Sequence, residues 1–158
     1  MNLHFHTMDD LREAISDLGD ILARPTRHLS HPTLYRRRDV GKNEKIIKGI
    51  RVKDWLLSDD QRWALPHDQM GLSFSSNYKN LKKVYKLKER HNPGSATHVF
   101  WVLEEADLPS GLKFEADRDK KGHYFLTVTE PILLEKLVEK LRAVAQRMSI
   151  IQNAGRLL

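Results

Sequence analysis

The chain contains no cysteine in its 158 residues. That excludes a disulfide scaffold, a thiol nucleophile, a thiolate zinc site and an iron–sulfur cluster, and it suits a reducing compartment. It also lacks any uncharged apolar run near the length of a membrane span, so a soluble protein with no membrane segment is expected. The opening stretch "MNLHFHTMDDLREA" has neither the cationic start nor the apolar core of a secretory leader. No P-loop, GxGxxG, HExxH or GxSxG signature occurs, which removes the commonest nucleotide, zinc-protease and hydrolase motifs. Internal repeats, low-complexity tracts and long heptad runs are missing too.

What is present suffices for a folded domain. Apolar residues make up 40% and charged residues 30%, with three Trp, four Tyr and five Phe, enough to offset the entropy of ordering one chain of this size. The net charge of +6 is unevenly spread. Residues 1–33 carry three Arg against five acids, residues 34–94 fifteen Lys or Arg against seven, and residues 95–158 nine against nine. The middle of the chain therefore holds the whole excess, a field that favours a polyanion or a phosphate-bearing ligand.

Met8, Leu11, Ile15, Leu18 and Leu22 recur at helical spacing and predict an amphipathic N-terminal helix of about four turns. Pro25 and Pro32 bracket a His-bearing loop after it. "TLYR" (33–36) is a short β-prone stretch, and residues 52–57 predict a short helix with a second turn before Pro66. "GLSFS" (71–75) predicts a strand, followed by a basic helix capped by Ser76 or Asn77 and running to about Glu89. "THVFWVLEE", "GLKFEAD" and "GHYFLTVTE" predict three strands, the last two joined by a hairpin turn at "RDKKG". After Pro131, an apolar stripe from Leu134 to Met148 predicts a final helix. The order of elements implies an α+β fold with a mainly antiparallel or mixed sheet.

Period-two alternation puts Ser73 and Ser75 on one face of their strand and Leu72 and Phe74 on the other. The two hydroxyls suit a ribose, Tyr78 and Tyr85 offer stacking planes, and the fork of Arg36 matches a diphosphate. No metal site is expected. His4 with His6, His28, His31, and His67 beside Asp68 provide no pair at i, i+4 spacing within a predicted helix, and the adjacent Glu104 and Glu105 point to opposite faces of a strand.

"TLYR", "GLSFS" and "DLPSGLKFEAD" running into "GHYFLTVTEP" and a terminal helix, in that order, resemble the NAD-dependent ADP-ribosyltransferase effector toxins of type VI secretion over residues 33–148. The resemblance implies an ADP-ribosyltransferase-like split sheet with flanking helices over residues 33–158; residues 1–32 have no counterpart in it and are expected, from their own pattern, to form a helical arm. It implies NAD as cofactor, with Tyr35, Arg36, Gly71, Ser73, Ser75, Tyr78 and Tyr124 around it. Arg36, Ser73, His123 and Glu130 are the catalytic residues it points to, although Val128 stands where many such enzymes carry a second polar group. It further implies a cytoplasmic toxin, acting in the producing or the target cell and neutralised by a cognate antitoxin or immunity protein. Lys79, Lys82, Lys83 and Lys86 form an electrostatic track for a nucleic-acid acceptor. Two rival readings are a metal-independent ribonuclease toxin built on Arg36, His123 and lysines, and a non-catalytic nucleic-acid-binding module.

Overall fold

The computed structural model describes residues 22–27, 30–91, 97–102 and 108–151. The expected helix over 8–21, the histidines His4, His6 and His28, and the pair Glu104 and Glu105 lie outside these residues.

The fold is α+β. Its centre is a six-stranded sheet in which every pairing is antiparallel, in the order β11 (Ser149–Ile151), β7 (Thr97–Val102), β1 (Leu22–Arg27), β6 (Leu72–Ser75), β9 (His123–Val128) and β8 (Leu112–Ala116). The three β-rich runs and the β8–β9 hairpin therefore form as their patterning predicts. Strand β1 does not. Leu22 was expected to end a helix and residues 22–27 to belong to an appended arm, yet this segment pairs along its length with β7 and lies inside the sheet. Its Pro25 has no N–H to donate to a neighbouring strand, and pairing toward β6 is confined to Ala23 opposite Ser75.

The expected short helix at 52–57 is also replaced. A 3₁₀ turn (Val52–Asp54) leads into β4 (Leu56–Leu57), which joins β5 (Trp63–Leu65) and β10 (Ile132–Leu133) in a three-stranded sheet. Just before it, β2 (Ile46–Ile47) and β3 (Ile50–Arg51) are linked by Lys48 and Gly49, both at positive φ, the two-residue turn that matches strand twist. Gly49 takes the wider angle, φ 90°, at no steric cost.

Among the described residues two α-helices cover the large sheet. Helix α1 (Tyr78–His91) packs Leu81 and Tyr85 over β1 and β6, and Asn77 caps it, its Oδ1 accepting from the backbone N–H of Lys79 and Asn80. Helix α2 (Leu134–Arg147) lies on the opposite face. Its buried stripe Leu134, Leu137, Val138, Leu141 and Val144 joins Leu22, Leu72, Phe74, Leu112 and Leu126 in one core. Each large apolar side chain fully buried there contributes roughly 1.5–3 kcal/mol. Among the described residues no helix is long and apolar enough to cross a membrane.

Candidate functional site

The loop that leaves β1 folds back over the α2 side of the sheet. Its "TLYR" segment forms no strand, bending at Thr33 and extended at Arg36; a bond from the Tyr35 N–H to the Gly49 carbonyl ties it to the β2–β3 turn. Thr33 is buried, and its hydroxyl donates to the Leu141 carbonyl of α2 at 2.7 Å. His31 closes the loop from within, Nδ1 accepting from the backbone N–H groups of Thr33 and Leu34 at 3.2 and 3.1 Å.

These ties border an open cavity of about 390 Å³ lined by His31, Leu34, Tyr35, Arg36, Lys48, Gly49 and Arg142. Two guanidinium groups, one ammonium and one imidazole meet there, and no carboxylate is on the wall. Lys48 Nζ lies 3.9 Å from Glu135 in an exposed pair that solvent weakens, and Asp39 accepts from the Arg36 backbone N–H at 3.0 Å. The field registers on His31, whose pKa is held below its ordinary 6.5 first by burial, then by Arg142 and Arg36. With Nδ1 accepting from the backbone, the neutral ring carries its proton on Nε2. The cavity is thus a set of donors, suited to a multiply charged anion.

The structure separates the residues that the sequence grouped. Tyr35 and Arg36 share the cavity. Ser73 and Ser75 do not: they project from β6 on the side opposite Leu72 and Phe74, hence away from α2 and the cavity. Ser73 is exposed there, whereas Ser75 is buried, its hydroxyl donating to the Asn77 carbonyl and accepting from the Asn77 N–H in the turn into α1. His123 lies directly across from Ser75 on that same face. Its Nδ1 is 2.9 Å from Asp117 Oδ2 and its ring meets Phe125 edge-on, an arrangement that clasps the base of the β8–β9 hairpin. Tyr124 points the other way and packs on the core, opposite Phe74. Tyr78 opens α1, and Glu130 is exposed beyond β9. Gly71 has a packing reason of its own, because a Cβ there would sit 2.2 Å from the Leu126 carbonyl oxygen. A single clasp of Arg36 and Ser73 on one ligand is not formed.

Of the remaining arginines in the "RRR" run, Arg37 donates to the carbonyls of Gly41 and Glu44 and so stiffens the loop. Lys48 and Arg142 were not singled out as ligand groups by the sequence, and His31 was weighed there only as a metal ligand. Only the Lys-Gly pair between "II" and "IR" carried a local signal, that of a tight hairpin. No protein-family model, curated protein or solved structure matches the chain.

Proposed function

We propose that the cavity bounded by Tyr35, Arg36, Lys48 and Arg142 binds the phosphates of a nucleotide. We further propose that the nucleotide is NAD, consumed in a toxin-like ADP-ribosyl transfer by an ADP-ribosyltransferase-like domain. The observation that carries the reading is the meeting of Arg36, Lys48 and Arg142 around one carboxylate-free hollow. Guanidinium forks suit a diphosphate, to which they can give paired, charge-assisted hydrogen bonds. The cavity lies near the small end of the roughly 300–1,000 Å³ usual for ligand pockets, room for a phosphoribosyl portion with the remainder extending outward. Tyr35 offers that portion a ring, and Arg51, 4.5 Å from its centre, steadies the ring from behind. Loss of nicotinamide from ribose leaves a cationic sugar, and holding the flanking phosphates fixes its position for attack.

The acceptor surface in this reading is α1. Lys79, Lys83, Lys86 and Arg90 are exposed at four-, three- and four-residue intervals and form one stripe, with Lys82 beside it. Such a stripe suits the backbone of a nucleic acid. A cognate antitoxin would act by covering either this stripe or the cavity mouth.

The ribonuclease alternative finds an imidazole among cations at His31. The Nδ1 lone pair is already committed to two backbone donors, so the neutral ring of His31 offers a hydrogen-bond donor at Nε2 but neither a general base nor a general acid, and ligand binding is favoured over acid–base cleavage. Calorimetric titration of the full chain with NAD, ADP-ribose and adenosine tests the reading. NAD and ADP-ribose should bind and adenosine should not. Equal binding of adenosine, or unchanged binding in an Arg36→Ala/Arg142→Ala double variant, would refute the phosphate site. Labelled NAD incubated with lysate then tests transfer, and RNA fragments formed without NAD would favour the nuclease.

A further inference from the structure

Every residue of the small sheet is apolar: Leu56 and Leu57 in β4, Trp63, Ala64 and Leu65 in β5, Ile132 and Leu133 in β10. A sheet with one face on a core and the other in water alternates apolar with polar, whereas unbroken apolar strands belong to a sheet covered on both faces. Ala64 pairs with Leu57 and Ile132, and these three lie against the core. Trp63 pairs with Leu133 and Leu65 with Leu56, so these four share the outer face. Trp63 is 40% exposed there and Leu56 38%, with Leu65 and Leu133 half-buried beside them. A continuous apolar strip open to solvent marks an interaction surface.

The strip is acidic at both ends. Asp59 and Asp60 stand in the turn from β4 to β5, and Glu130 precedes β10, which runs antiparallel to β5 and so begins at its far end. All three are exposed, and Arg62 in the same turn offsets one of the two aspartates. The other charges around the small sheet are engaged elsewhere: Lys53 with Glu44, Asp54 with Arg51, Asp68 with Arg118 and Glu135 with Lys48. Packing the strip on its own copy would therefore set acid against acid.

Helix α1 carries the converse pattern. Leu87 is 50% exposed, more than any other large apolar side chain among the described residues, and Val84 lies half-buried three positions before it. Lys83 stands one turn before Leu87 and Arg90 one turn after, both exposed, on a helix with six Lys or Arg against one Glu. From Lys83 to Arg90 is about 10 Å of helix, and β5 is also about 10 Å long. The cations of one surface thus match the acidic ends of the other, with apolar side chains between them.

We propose that the outer face of the small sheet receives helix α1 of a second copy of this chain, with Leu87 and Val84 on Trp63 and Leu56, and Lys83 and Arg90 at the acidic ends. The two surfaces differ, so copies join head to tail, and an open chain of copies keeps one surface of each kind free. The contact uses none of the residues lining the nucleotide cavity and stands whether or not that cavity binds NAD. While it lasts, it withholds the α1 stripe from a polyanion.

Sedimentation of the full chain over a concentration series, at low and high salt, tests this. Association should grow with concentration and weaken with salt. Trp63→Glu and Leu87→Glu should each be monomeric alone. Mixed in equal amounts, they should form a complex of one copy of each and nothing larger, because the first keeps an intact helix and the second an intact strip. That recovery also shows that both variants fold. Asp59→Asn with Asp60→Asn should weaken association by about fivefold, the worth of two exposed ion pairs. A wild-type chain that stays monomeric up to about 1 mM, a Leu87→Glu variant that associates as wild type does, or a mixture of the two variants that stays monomeric overturns the proposal.

Discussion

The hydroxyl of Thr33 and the carbonyl of Leu141, far apart in sequence, meet at 2.7 Å in a buried hydrogen bond. That bond fastens the loop bearing His31, Tyr35 and Arg36 to the helix bearing Arg142, and so sets the width of the cavity. Replacing Thr33 by Val keeps the shape and removes the bond. Stability should fall by about 1 kcal/mol, because the Leu141 carbonyl sits within a helix that offers it another partner. Phosphate-ligand affinity should fall as well, through loosened spacing, and Thr33→Ser should recover both. Denaturant unfolding and calorimetric titration read the two effects separately.

Arg36 and Arg142 approach the same hollow from different elements, so each should matter to an anion and neither to a neutral nucleoside. Arg142→Ala and Arg36→Ala should each weaken ADP-ribose binding by roughly ten- to a hundredfold, the usual worth of a charge-assisted hydrogen bond. Arg37→Ala is the contrast within the same run. Its guanidinium is spent on the carbonyls of Gly41 and Glu44, so that variant should lose loop stability and keep ligand affinity.

Two histidines tie stability to pH in one direction. His31 is held below 6.5 by burial and then by Arg142 and Arg36. His123 is held below 6.5 chiefly by burial, which outweighs the opposing pull of Asp117. In both cases the unfolded chain binds the proton more readily, so their contribution is intact above about pH 6.5 and is lost as pH falls through the folded values. Urea unfolding between pH 8 and 5 should show stability declining below 6.5. Arg142→Ala should move the His31 titration upward, and Asp117→Asn should move that of His123 further down, both readable by NMR.

The parts of the fold legible in the sequence are those whose burial repeats. The α2 stripe and the β8–β9 hairpin carry a full period of apolar positions, and Asn77 announces its cap. Strand β1 was hidden because Pro25 argues against a central strand, and here the sheet tolerates it by shortening the pairing on one side. The small sheet was hidden because strands of two or three residues show no period at all. At the candidate site, Tyr35 and Arg36 were legible as a local pattern. Lys48 and Arg142 come to them only through the fold: one rides a hairpin turn, the other an exposed helix position that reads as ordinary surface.

Gly71 and Ser73 separate a packing role from a ligand role. The resemblance assigns both to the cofactor, whereas the backbone at Gly71 stands at φ +150° with the Leu126 carbonyl where a side chain would begin. Gly71→Ala should therefore destabilise the fold by several kcal/mol, since the obstacle is backbone and cannot swing aside. Ser73→Ala, on an exposed position facing away from the cavity, should leave stability within about 0.5 kcal/mol and leave ADP-ribose affinity unchanged. If Ser73→Ala folds normally yet abolishes NAD binding, the ligand lies on the β6–β9 face with His123, and the cavity around Arg36 is not its site.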